Sequence, residues 1–97
     1  MTTLECLELG KTRLSTPDRW VKWNYRNGVQ YCLLGACSGT FDVLYASPSV
    51  VSALGCAIQQ LLYNFSSVSA FNDAPATTYD DIMRVLEHAI ETARGQA

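Results

Sequence analysis

From Asn27 to Phe71 the chain carries a single charge, Asp42. A stretch so poor in charge must be mostly interior, and its flanks must supply the solvated faces. The flanks fit that demand. Between Lys11 and Arg26 stand five basic residues (Lys11, Arg13, Arg19, Lys22, Arg26) and one acid, Asp18. From Asn72 onward come five acids (Asp73, Asp80, Asp81, Glu87, Glu91) and two bases (Arg84, Arg94). The middle therefore reads as interior and the two ends as its charged covers. With 97 residues this is one compact domain, 1–97, and a chain of that size buries roughly 60–65% of its unfolded surface. Only 16% of the residues are charged, against about a quarter in typical domains. That shortage points toward a partner or self-association.

The pattern is mostly helical. Thr2 and Glu5 form a capping box ahead of Leu4, Leu7 and Leu9, and Gly10 supplies a left-handed stop, giving a helix over 3–9. Cys32-Leu33-Leu34-Gly35-Ala36-Cys37 suits a short buried helix, ended near Gly39. Residues 40–47 read as a loop. Pro48 at a first turn, with Ser47 as N-cap, starts a helix over 48–65. Its apolar stripe is Val50, Val51, Leu54, Ile58, Leu61, Leu62 and Phe65. Val68 and Phe71 alternate with serine and suggest a short extended piece. Thr78 with Asp81 caps a last helix over 78–94, with Tyr79, Ile82, Met83, Leu86, Ala89, Ile90 and Ala93 inward.

One segment reads as β. Trp20 to Tyr25 is rich in strand formers, and Asn27-Gly28 is a strong hairpin signal. A turn there pairs Arg26 with Val29, Tyr25 with Gln30 and Trp23 with Cys32. The rival is a short helix over 17–23. The expected architecture is mainly α: three to four helices packed around a central apolar helix at 48–65, with one small hairpin at about 20–33.

Several chemistries are set aside. One histidine and four scattered cysteines lack metal-ligand spacing, so no metal or cofactor is expected. His88 falls on the polar face of its helix with Asp81, Arg84 and Glu91, an ordinary surface position. Asp80 and Asp81 have a sufficient role at a helix start. MTTLECLELG has acids and no basic n-region, unlike a signal peptide. Ser49, Ser52, Gln59, Gln60 and Asn64 interrupt residues 48–65, so no membrane span is expected. A reducing cytoplasm follows, with Cys6, Cys32, Cys37 and Cys56 as small buried hydrophobes.

Two groups of residues remain as candidates. Asn72-Asp73, followed by Pro75, closes an Asx-turn or forms a polar binding spot. On the 48–65 helix, Ser52, Cys56, Gln59 and Tyr63 lie off the apolar stripe on a small, uncharged face suited to an interface.

Three pieces of the sequence resemble a family of small domains of unknown function from bacteria and their phages. They are Trp20, the Cys32-Leu33-Leu34-Gly35-Ala36 block, and Asn72-Asp73-Ala74-Pro75 followed by Thr78, Asp81 and Ile82. The resemblance implies a compact cytoplasmic domain of phage or prophage type, without an assigned reaction. The leading expectation is a non-catalytic protein-interaction domain that binds a host protein or associates with itself. Inhibition of a host enzyme or defence complex is one form of that role. The alternative is nucleic-acid binding by residues 11–26. There Lys11, Arg13, Arg19, Lys22 and Arg26 would meet phosphates, and Trp20, Trp23 and Tyr25 would stack on bases. The sequence pI of ≈ 5.1 weighs against it. A second alternative is an enzyme using Asn72, Asp73 and His88.

Overall fold

A computed structural model describes residues 2–24, 26–39 and 46–95. Among them are five helices: α1 (Thr3–Arg13), α2 (Leu33–Ala36), α3 (Pro48–Gln60), α4 (Val68–Asp73) and α5 (Tyr79–Gly95). A 3₁₀ turn covers Pro17–Arg19, and strands β1 (Arg26–Asn27) and β2 (Gln30–Tyr31) form one antiparallel pair. The mainly α expectation holds. The sequence's charged ends do more than cover the middle: α1 and α5 pack on each other, and α5 also packs on α3. Leu7, Leu14, Ile82, Val85 and Leu86 are fully buried beside Leu33, Leu54 and Phe71. The 48–60 helix keeps Ser52, Cys56 and Gln59 exposed, so it is not encircled.

The caps act as their residues dictate. Thr2 Oγ1 accepts from Glu5 N–H (3.1 Å), and Glu5 Oε1 accepts from Thr2 N–H (2.9 Å). At α5, Thr78 N–H donates to Asp81 Oδ2 (2.9 Å) and Asp81 N–H to Thr78 Oγ1 (3.3 Å). Tyr63 O–H also donates to Asp81 (2.7 Å). The Thr78 amide, then the Tyr63 hydroxyl, hold the Asp81 carboxyl below its ordinary pKa. Three of the four cysteines are buried, but Cys56 is exposed, so the expectation of four buried thiols fails there.

Gly10 does not stop α1. The helix runs on to Arg13, and Gly10 is a close-approach site: a Cβ there would overlap Cys37 Sγ. The extra turn brings Arg13 to the end of α2, where its guanidinium donates to Ser38 O (2.9 Å) and Ala36 O (3.2 Å). A cation on the last carbonyls of a helix satisfies groups that have no intrahelical partner.

Helix α3 ends five residues earlier than its stripe suggests. Leu62 N–H donates to Gln59 O (3.0 Å) and Tyr63 N–H to Ile58 O (3.0 Å). This is a Schellman stop, with Leu62 in the left-handed position at φ 67°. Leu62 is therefore 90% exposed rather than inward, and Val51 is 38% exposed. A β-carbon is disfavoured in that conformation. Leu62→Gly is expected to raise stability by about 1 kcal/mol, read as a higher urea midpoint at unchanged slope.

The hairpin register is one residue later than expected. Arg26 pairs with Tyr31 and Asn27 with Gln30, so Gly28, at φ 64°, takes the first central position of the loop. The Arg26–Val29 and Trp23–Cys32 pairings do not form, and Tyr25 lies outside the described residues. Each strand is only two residues long. Residues 17–24 form neither alternative: a 3₁₀ turn is followed by an irregular segment, in which Trp20 bridges Tyr31 and Val21 N–H donates to Tyr31 O (3.0 Å). Of the expected loop at 40–47, residues 40–45 lie outside the described part.

Candidate functional site

Helix α4 replaces the expected extended piece at 68–71. Ser67 is the reason: its side chain accepts from Ala70 N–H (3.0 Å) and nucleates the turn. Pro75 disfavours helical backbone at Ala74, which sits at φ −61°, ψ 138° and ends the helix. Asn72 and Asp73 thus occupy the last helical turn and do not form an Asx-turn.

That position makes Asn72 a junction. It is 1% exposed, with every hydrogen-bonding capacity of its amide filled. Oδ1 accepts from Trp20 Nε1–H (2.7 Å) and from Leu33 N–H (3.0 Å). Nδ2 donates to Val21 O (3.2 Å) and to Asp73 Oδ1 (2.9 Å). Leu33 is the first residue of α2, so one side chain ties α4 to the start of α2 and to the 20–24 segment. Trp20, the Cys32–Ala36 block and Asn72-Asp73 are far apart in sequence. They meet at this one amide.

The neighbouring side chains hold the 20–24 segment in place. Lys22 Nζ donates to Ala74 O (2.6 Å) and lies 5.4 Å from the Trp20 ring centre. Asp73 Oδ1 accepts from Trp23 N–H (2.8 Å). Trp23 is at φ 70° and 77% exposed. A bulky residue in left-handed backbone costs about 1–3 kcal/mol and persists only where the surroundings enforce it. Here the enforcing group is the Asp73 carboxylate.

Beside Trp23 opens a cavity of ≈ 220 Å³, with Cys32, Leu34, Ser69 and Asp73 in its walls. The Cys32 thiol accepts from Gly35 N–H (3.3 Å). Burial, with the nearby Asp73 charge adding to it, pushes that thiol above its ordinary pKa. A protonated, buried thiol is a poor nucleophile, so Cys32 is a wall of the cavity.

The other candidates separate. His88 hydrogen-bonds across to Gln60 of α3 (2.7 Å), while Asn72 and Asp73 are taken up by residues 20–33. No acid/base pair joins the two places among the described residues. Of the basic set, Lys11 pairs with Glu87 (3.7 Å), Arg13 caps α2 and Lys22 holds Ala74. Arg19 is exposed, and the side chain of Arg26 lies outside the described part. The expected interface face also divides. Ser52 and Cys56 line an uncharged groove of ≈ 680 Å³ between α1, α3 and α5. Gln59 is exposed, while Tyr63 is turned to Asp81 and packs on Phe71 with ring centres 5.0 Å apart. Among the described residues, no helix is long and apolar enough to cross a membrane.

Sequence reasoning singled out Asn72 and Asp73 but missed Leu34, Ser69 and Cys32 as walls of a cavity. It placed Trp23 in a hairpin opposite Cys32 or in a base-stacking role. Nothing local marks Trp23 as left-handed, because the contact that enforces it comes from Asp73.

No curated protein and no solved structure matches the chain. A family model matches residues 1–92, and the chain belongs to that family of unknown function, DUF6197.

Proposed function

We propose that this chain is a small, non-catalytic, cytoplasmic interaction domain of phage or prophage type. It acts by binding a host protein through Trp23 and the cavity beside it. One observation carries the reading: a 77% exposed tryptophan stands in an unfavourable backbone conformation, its amide bonded to the Asp73 carboxylate. Tryptophans that gain most on burial are the residues that dominate protein interfaces. A fold that maintains strain to present one has a use for it elsewhere. The resemblance to bacterial and phage domains points to a host protein as the partner, with inhibition of a host enzyme or defence complex as one outcome.

The test is capture from host lysate with the tagged chain, with and without nuclease, in parallel for the parent and Trp23→Ala. A stoichiometric protein retained after nuclease treatment and lost with Trp23→Ala supports the reading. Recovery of nucleic acid alone moves the function to residues 11–26. Capture unchanged by Trp23→Ala moves it to the Ser52/Cys56 groove, where self-association would appear as a concentration-dependent dimer by light scattering.

A stability measurement adds a sign test. Trp23→Gly relieves the left-handed strain and keeps the amide that Asp73 holds. It is expected to stabilise the fold by about 1 kcal/mol, roughly 4–8 °C in Tm for a domain this size, while abolishing partner capture. Leu62→Gly relieves the same kind of strain on another surface and is expected to leave capture intact.

A further inference from the structure

We infer that the cavity beside Trp23 receives a basic side chain, lysine or arginine, of the bound partner. This deepens and rests on the Trp23 reading above. At ≈ 220 Å³ the cavity is smaller than the about 300–1,000 Å³ of small-molecule and cofactor sites. It is scaled to one inserted side chain. Its walls are apolar at Trp23 and Leu34 and neutral polar at Ser69 and two asparagines, and Asp73 is the one charged wall among the described lining residues. The two oxygens of Asp73 are used unequally. Oδ1 accepts from both Trp23 N–H and Asn72 Nδ2, whereas Oδ2 takes no hydrogen bond among the described residues. Lys22, the nearest basic side chain in sequence, is engaged at Ala74 O (2.6 Å) and over Trp20. The described walls thus include an indole, an aliphatic surface and a carboxylate, one of whose oxygens takes no hydrogen bond among the described residues. Lysine and arginine are the side chains with a long apolar stem and a cationic head, and a cation is attracted to an indole face.

The test is an NMR titration of the full chain with four probes: the Nα-acetyl amides of lysine, arginine, norleucine and citrulline. The last two keep the stems and lack the charge. The Trp23 indole N–H resonance should move with the cationic probes, and the Trp20 indole N–H, bonded to Asn72, serves as the internal reference. Cationic probes should bind about tenfold more tightly than their neutral counterparts, the size expected for a cation–π contact plus an exposed ion pair. Asp73→Asn should shrink that difference to the few-fold that the indole face alone supplies. Asparagine keeps an oxygen for Trp23 N–H and Asn72, so the scaffold survives while the charge goes. Equal shifts with charged and neutral probes, no shift at all, or a preference undiminished by Asp73→Asn would each overturn the inference. Capture from lysate separates the two proposals. A partner lost with Trp23→Ala but held equally by Asp73→Asn leaves the binding surface standing and removes the basic side chain. A partner indifferent to Trp23→Ala removes the surface itself.

Discussion

Asn72→Ala is expected to cost about 3–4 kcal/mol, a large share of the 5–15 kcal/mol typical of a domain. The side chain is small, so little packing is lost. The loss is polar. Removing the amide leaves Leu33 N–H with no acceptor at the start of a buried helix, and leaves Trp20 Nε1–H and Val21 O half-buried without partners. Each stranded buried group costs about 1–3 kcal/mol, and water relieves part of it at the Trp20 edge. Urea unfolding followed by far-UV circular dichroism measures the effect. A paired Trp20→Phe variant apportions it. The double mutant should be less destabilised than the sum of the singles by about 1 kcal/mol, because both remove one bond. A loss below about 1 kcal/mol for Asn72→Ala would mean that water replaces the amide, and the junction would then not organise the 20–33 region. A loss of the expected size also has a functional consequence. The same amide positions Asp73, and Asp73 holds Trp23, so partner capture should fall with it even at temperatures where the variant remains folded.

The parts of this fold that were legible in the sequence are those set by local chemistry. The capping boxes at Thr2/Glu5 and Thr78/Asp81 form as read, since each needs only residues three apart. Ser47 and Pro48 likewise place the start of α3. The misreadings share a different cause. Leu62 continues the apolar stripe, yet the chain turns there because a Schellman stop lets Tyr63 pack on Phe71. The hairpin shifts by one residue, with Tyr31 taken as partner by Trp20 and Val21 as well as by Arg26. Asn72-Asp73 before proline has the composition of a turn, but its hydrogen bonds go to Trp20, Val21, Trp23 and Leu33. Periodicity and turn chemistry do not encode partners more than thirty residues away. The three motif pieces were legible as pieces, and only the fold shows that one amide joins them.

Gly10 gives a second large effect, whose sign depends on another residue. In a helix interior alanine is favoured over glycine by about 1 kcal/mol, so propensity alone predicts that Gly10→Ala stabilises α1. The contact with α2 predicts the opposite. A Cβ at Gly10 would overlap Cys37 Sγ, and that thiol is wholly buried. Burial pushes its pKa up to about 12, so it is a neutral packing atom near neutral pH. The collision is with an atom inside the core, and overpacking of this kind costs about 1–3 kcal/mol. The net expectation for Gly10→Ala is destabilisation by about 1–2 kcal/mol. Cys37→Ala should cost about 1 kcal/mol by itself through the small cavity it leaves. In that background Gly10→Ala has room for its methyl and regains its helix preference, so it should turn stabilising by about 0.5–1 kcal/mol. Urea midpoints of the four proteins decide it. If Gly10→Ala stabilises the parent as well, α1 and α2 are not in contact through this pair, and the close approach that carries Arg13 to the carbonyls of α2 would have to be assigned elsewhere.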